Sequence, residues 1–290
     1  MRCPVCGTEN QEEARFCVGC GRPLTSSGPA ESKAVVAEAP APPETVEGSS
    51  AAGLRYRILG TTLQALILEL QPGQIVYSEA GALSWMSGNV QMEATSGGGL
   101  GKMLGRLVTG ESLFVVEYRA MNGPGLLAFS NEFPGKILPI ELAPQQSLIL
   151  QKDAFLCAEQ SVQMSVHWQK RLGAGLFGGE GFLLQRLTGP GLFFAELDGE
   201  TVEYMLQPQQ VLLVDPGHVA MFEPTVGFDI QMVRGIKTML FGGEGLFLAH
   251  LTGPGRVWLQ TMPMTNLVQA VARYLPREGG SRGVQIRLGG

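Results

Sequence analysis

The sixteen residues from Leu240 to Gly255, LFGGEGLFLAHLTGPG, restate LFGGEGFLLQRLTGPG of Leu176 to Gly191, with twelve identities at an offset of 64. A chain that repeats itself at such a spacing builds one supersecondary unit more than once, and this period constrains the fold more tightly than composition does. A second repeated phrase extends the pattern. LQPGQIVYSEAGALSWM from Leu70, LAPQQSLILQKDAFLCA from Leu142 and LQPQQVLLVDPGHVAMF from Leu206 align with Pro72, Pro144 and Pro208 in register, at offsets of 72 and 64. The first phrase also has a degraded third copy, TGESLFVVEYRAMNGPG, which carries Glu111 where the others carry Glu180 and Glu244. The body is expected as three units, at about 54–125, 126–191 and 192–262.

Within each unit short apolar runs such as LQALILEL, SLFVVEY, GFLLQRL and GLFLAHL alternate with Gly, Pro, Asp and Asn. Such runs are predicted β-strands, with Gly-Pro-Gly as the recurring turn. The 40 glycines and 18 prolines add to this reading, since no collagen-like period accompanies them. The fold class is all-β, and each unit is expected to be a small sandwich or barrel. After it, Leu267, Val268, Val271 and Leu275 form a helical stripe closed by Pro276, so 263–276 is read as a helix packed on the body and 277–290 as a disordered tail.

The N-terminus is a separate module. CPVCGTENQEEARFCVGCG sets Cys3, Cys6, Cys17 and Cys20 as two C-x-x-C pairs, each followed by a glycine, Gly7 or Gly21. Two intervening residues let one tight turn aim both thiolates at one ion, and the glycine adopts the positive φ that such a turn needs. A 1–24 module is too small to bury its own core, whereas structural zinc supplies roughly 10–16 kcal/mol in comparable peptides. The stretch resembles the short zinc ribbons, and four thiolates imply one closed, structural Zn2+. Two disulfides or an iron redox site are the alternatives weighed, and a reducing compartment disfavours them. Arg2, Arg15 and Arg22 are offset by Glu9, Glu12 and Glu13, so a protein partner is the expected target of this arm. Residues 25–53, rich in Ala, Pro, Ser and Glu, are read as a disordered tether.

Met1 and Arg2 run straight into the cysteines, and no eighteen-residue apolar run exists, so a cytoplasmic protein is expected. The formal net charge of −5 argues against a nucleic-acid partner.

The phrases LTGESLF, LFGGEG, LTGPGRVWLQT, PGKILPIEL and VDPGHVAMF resemble the altered inheritance of mitochondria protein 24 family, from about Leu54 to Thr261. The resemblance implies three tandem short double-stranded β-helix domains of the tryptophan RNA-binding attenuator-like fold, whose members build rings, and it implies a homo-oligomer, expected as a trimer. It brings no catalytic activity. Mitochondrial relatives are linked to inner-membrane organisation.

Other candidate sites divide into chemistry and architecture. Gly173, Gly175 and Gly178 satisfy G-x-G-x-x-G, but an acidic residue and a strand follow in place of a helix. Glu111, Glu180 and Glu244 recur once per unit; they either converge on a cation or, as favoured here, accept N–H groups of their own turns. His167, His218 and His250 show no metal-binding spacing, Cys157 sits in an apolar run, and Trp85, Trp168 and Trp258 read as core or interface residues. No enzyme is expected. The segments before the three glutamates lack acids and carry Lys102 and Arg106, Lys170 and Arg171, and Arg234 and Lys237. If three units share one axis, these six cations form a face suited to an anionic membrane, at about 1 kcal/mol per basic residue. The alternative is that they only connect strands. The expected function is a non-enzymatic scaffold that docks peripherally on membranes, with a small-ligand or RNA-binding ring as the alternative and a metal-dependent enzyme as a lesser one.

Overall fold

The computed structural model describes residues 1–12, 14, 16–22, 24, 45–95, 115–170, 182–232, 247–272 and 274. The chain divides into two compact units, Met1–Pro42 and Pro43–Gly290. In the first, Cys3, Cys17 and Leu24 are buried with Ala14 against them, and Arg2 pairs with Glu9 in an isolated bridge.

The second unit is built of antiparallel strands. A hairpin of β1 (Thr45–Ser49) and β2 (Arg55–Leu59) leads into β3 (Ala65–Leu70), β4 (Ile75–Glu79), β5 (Leu83–Met86), β6 (Val90–Thr95), β7 (Val115–Ala120) and β8 (Gly125–Ser130). Next come β9 (Gly135–Leu142), β10 (Ser147–Gln151), β11 (Phe155–Glu159), β12 (Gln163–Lys170), β13 (Phe182–Thr188) and β14 (Gly191–Asp198). The last strands are β15 (Thr201–Leu206), β16 (Val211–Val214), β17 (Val219–Phe222), β18 (Gly227–Met232), β19 (Phe247–Thr252) and β20 (Gly255–Gln260), followed by helix α1 (Met264–Ala272).

The pairing order repeats along the chain. The sheets run β1-β2-β3-β8-β5, then β6-β7-β4-β11-β14-β9, then β12-β13-β10-β17-β20-β15, and finally β18-β19-β16. Both six-stranded sheets therefore take three strands from one stretch of chain and three from the next. The expectation of self-contained sandwiches is amended on this point: β4 pairs with β11, and β10 with β17, so each sheet continues across the sequence repeat. Periodicity along one strand identifies its buried face but not its lateral neighbour, which is why the crossing was not legible. Three apolar clusters fill the spaces between sheets, centred on Tyr118 and Phe129, on Tyr77 and Phe193, and on Phe182 and Phe222.

One turn is built three times. Gln74, Gln146 and Gln210 each accept, through the side-chain carbonyl, the backbone N–H of Gln71, Ala143 and Gln207, at 2.8, 3.0 and 3.0 Å. The preceding residue is left-handed in every copy: Gly73 at φ 89°, Gln145 at 65° and Gln209 at 64°. The two glutamines hold a conformation that costs an L-residue about 1–2 kcal/mol, and the bonds around the turn offset that cost.

One boundary expectation is corrected. Residues 45–53 are not tether: β1 pairs with β2 along its length, and buried Ser50 donates to Glu159 Oε1 at 2.6 Å. β1 is an exposed edge strand with no buried stripe, so composition alone concealed it. Its Gly48 lies under the Tyr56 ring, where a Cβ would collide with the phenol. The C-terminal helix spans 264–272, within the expected 263–276; of its apolar stripe Leu267 is half-buried, while Val268 is 58% and Val271 51% exposed. Its first turn is held by polar bonds. Asp198 accepts the Met264 N–H, and His218 donates from Nδ1 to the Gln260 carbonyl at 2.7 Å while Nε2 accepts from Asn266 Nδ2 at 3.0 Å.

Candidate metal centre

The two cysteine knuckles fold alike because each is closed by the same backbone bonds. Gly7 N–H donates to the Cys3 carbonyl at 3.0 Å and Cys3 N–H to that of Thr8 at 2.9 Å; Gly21 donates to Cys17 at 2.8 Å and Cys17 to Arg22 at 2.7 Å. Gly7 and Gly21 stand at φ 74° and 70°, as their place in the motif requires.

These turns bring all four cysteine sulfurs within 4.8 Å of one another. Cys3 Sγ lies 3.8 Å from Cys20 Sγ, and Cys6 Sγ lies 3.4 Å from Cys17 Sγ. A tetrahedron with Zn–S bonds of about 2.3 Å has edges of about 3.8 Å, so the four donors fit zinc. Cys3 and Cys17 are buried, whereas Cys6 and Cys20 face solvent. Around Cys17 burial pushes the thiol up, yet N–H groups of Gly19 and Cys20 and the Asn10 amide pull it down to about 6. At Cys20 the Arg22 N–H pulls down, but the Cys6 sulfur, burial and the remaining sulfurs push the thiol up to about 12. Four sulfurs so close cannot all be anionic unless a cation joins them, the part that a bound zinc would play. With four protein ligands the shell leaves no place for water or substrate, so the chemistry available is structural.

The N-terminal residues 2–24 match the zinc-ribbon domain family. Residues 56–262 match the family described as Mitochondrial biogenesis AIM24. The chain belongs to the AIM24 family. It is 30% identical over 217 residues to an uncharacterised protein of Streptococcus pyogenes serotype M6, covering 72% of this chain and 86% of that one. A crystal structure of another S. pyogenes protein superposes with a TM-score of 0.62 at 25% identity, covering 77% of this chain and all of the other.

In the AIM24 body most candidate residues from the sequence lie outside the described residues: Glu111, Glu180, Glu244, Lys102, Arg106, Arg171, Arg234 and Lys237. Lys170 closes β12, where its backbone stands opposite Phe182. A different polar position proves to be repeated. Ser87, Glu159 and Glu223, equally in register in the sequence, accept through their side chains the N–H groups of Leu126, Leu192 and Arg256, at 2.9, 2.7 and 3.0 Å. Each acceptor pins the strand that leaves a Gly-Pro-Gly turn. Cys157 is fully buried, and its thiol is pushed well up by that burial and by Glu196. His167 is lowered by burial and then by Arg186, whose Nη2 lies 3.4 Å away.

Several cavities open among the described residues of the body. One of about 490 Å³ is walled by Glu79, Asn131, Glu132, Asp153 and Glu196. Burial first, then Asp198, Glu132 and Asp153, raise Glu196 to about 8, although it accepts an N–H from Glu132. Its counterpart 64 residues on is Gln260, which accepts from Asp198 N–H at 3.0 Å and donates to the Gly217 carbonyl at 2.9 Å. Burial and the acidic neighbours thus favour the protonated form of Glu196, at the position where Gln260 carries an amide. The second cavity, about 450 Å³, is floored by Leu138, Ile140, Leu148 and Trp258. There Arg256 lies 6.0 Å over the Trp258 ring and pairs with Glu203 at 3.4 Å.

Proposed function

We propose that this AIM24-family protein is a non-enzymatic scaffold: a β body of tryptophan RNA-binding attenuator-like units that assembles into a homo-oligomer, carrying a zinc ribbon as a recognition arm for a protein partner. The observation that carries the reading is the closed cluster of Cys3, Cys6, Cys17 and Cys20, a site made to hold a small module rigid. The six basic residues Lys102, Arg106, Lys170, Arg171, Arg234 and Lys237 supply the membrane-docking part of the proposal, on the cytoplasmic side, since anionic lipid attracts basic segments placed among apolar residues. No helix among the described residues is long and apolar enough to cross a bilayer, so contact through a surface is the mode proposed.

The test is flotation of the full chain with neutral and anionic vesicles at low and high salt, beside a variant with the six basic residues changed to Gln. Salt-sensitive binding to anionic vesicles only, lost in the variant, supports docking. Absence from every floated fraction removes the membrane from the account and leaves a scaffold in solution.

A second reading rests on the Trp258 cavity, whose apolar floor and aromatic ring, rimmed by Glu203, Glu223 and Arg256, suit a small molecule with a flat apolar part. Native mass spectrometry of the purified protein decides it: a copurifying small molecule, lost in Trp258→Ala, favours this reading over the scaffold.

A further inference from the structure

The inter-sheet joint described above occurs twice in one register. Where β4 meets β11, Tyr77 faces Ala158 and Ser78 faces Cys157; where β10 meets β17, Ile149 faces Phe222 and Leu150 faces Met221. Shifted by the offsets of 72 and 64, these are the same two pairs. A third joint is prepared but not made. β16 follows β4 and β10 in the series, and β5 precedes β11 and β17, yet each ends its sheet with one edge open among the described residues.

The side chains at these edges depart from their counterparts in the same way. Trp85 of β5 is 48% exposed, while Cys157 and Met221 at the equivalent positions are fully buried. Leu213 of β16 is 53% exposed, while Tyr77 and Ile149 are each 1% exposed. Neither Leu83–Met86 nor Val211–Val214 carries a charge or a proline, the usual devices that keep an edge strand from pairing.

We infer that β16 of one copy of this chain pairs antiparallel with β5 of a second copy, with Leu213 opposite Met86 and Val214 opposite Trp85, so that copies join head to tail through a third instance of the internal joint. Such a contact is heterologous: it leaves a free β5 at one end and a free β16 at the other, and it ends only when the series closes into a ring. The inference rests on the homo-oligomer proposed above and names the surface that would build it.

The experiment mixes zinc-loaded full chains carrying Met86→Cys with full chains carrying Leu213→Cys under mild oxidation, and reads disulfide-linked pairs on a non-reducing gel. A mixture of Leu213→Cys with Met92→Cys, another exposed position, is the control. The double variant Met86→Cys/Leu213→Cys is oxidised alongside. Crosslinks between copies in the first mixture, absent from the control, are expected. A disulfide formed only within single chains of the double variant overturns the inference in favour of closure of the chain on itself. Val211→Lys/Leu213→Lys places charge on an already exposed edge; it should retain its melting curve and fall to the mass of one copy, 31.0 kDa, by light scattering. An oligomer that persists in this variant overturns the β16–β5 joint while leaving the homo-oligomer standing, whereas a monomeric parent protein sinks both.

Discussion

At the scale of single residues, Glu196 makes the sharpest prediction. Its folded-state pKa of about 8 lies above its unfolded value, so the folded chain holds a proton that the unfolded chain has lost. Stability from this group is therefore full at low pH, falls as pH rises from the ordinary carboxylate range to about 8, and is level above that. The span amounts to up to about 5 kcal/mol. Glu196→Gln, copying Gln260, is expected to flatten this slope and raise the melting temperature at pH 8, as scanning calorimetry across pH would record; an unchanged slope would place the proton elsewhere. Cys17→Ser is expected to lose zinc, measured by metal analysis of the dialysed protein, and to leave the melting transition of the body in place. The four cysteines were legible because ligand spacing is local in sequence. Glu159 and Glu223 were not singled out, although they sit in register, because the N–H groups they hold belong to a strand about thirty residues away, and no spacing rule reports such a contact.

Among the elements, the strands followed the apolar runs, and the repeated Gly-Pro-Gly turns fell where expected. What escaped was any feature set by lateral contact. β1 shows no alternation because it lies exposed at an edge, and α1 leaves Val268 and Val271 of its stripe exposed. The β1–β2 hairpin depends on side chains reaching it from the body: Ser50 is bound to Glu159, and Glu159 also holds the Leu192 N–H. Glu159→Ala removes both bonds and is expected to destabilise the body by about 2–4 kcal/mol, because a buried N–H is left without an acceptor. Chemical denaturation measures this. Glu223→Ala breaks an equivalent bond at a more exposed site and should cost less; equal losses would mean that the link to Ser50 contributes nothing.

For the whole molecule, the sequence repeat reappears in the turn built three times and in the pairing order of the sheets, but it did not disclose that neighbouring stretches share sheets, and this sharing leaves β5 and β16 without the joint among the described residues. The proposed scaffold draws on two features: the cluster of four cysteines in one compact unit, which would become rigid on binding zinc, and in the other the joint between sheets that is made twice. Native mass spectrometry of the full-length protein is the most direct measurement of that claim, since a single spectrum gives copy number and metal content. The account predicts a multimer carrying one zinc per copy. A single copy at micromolar concentration, or a second metal bound in each chain, would contradict it.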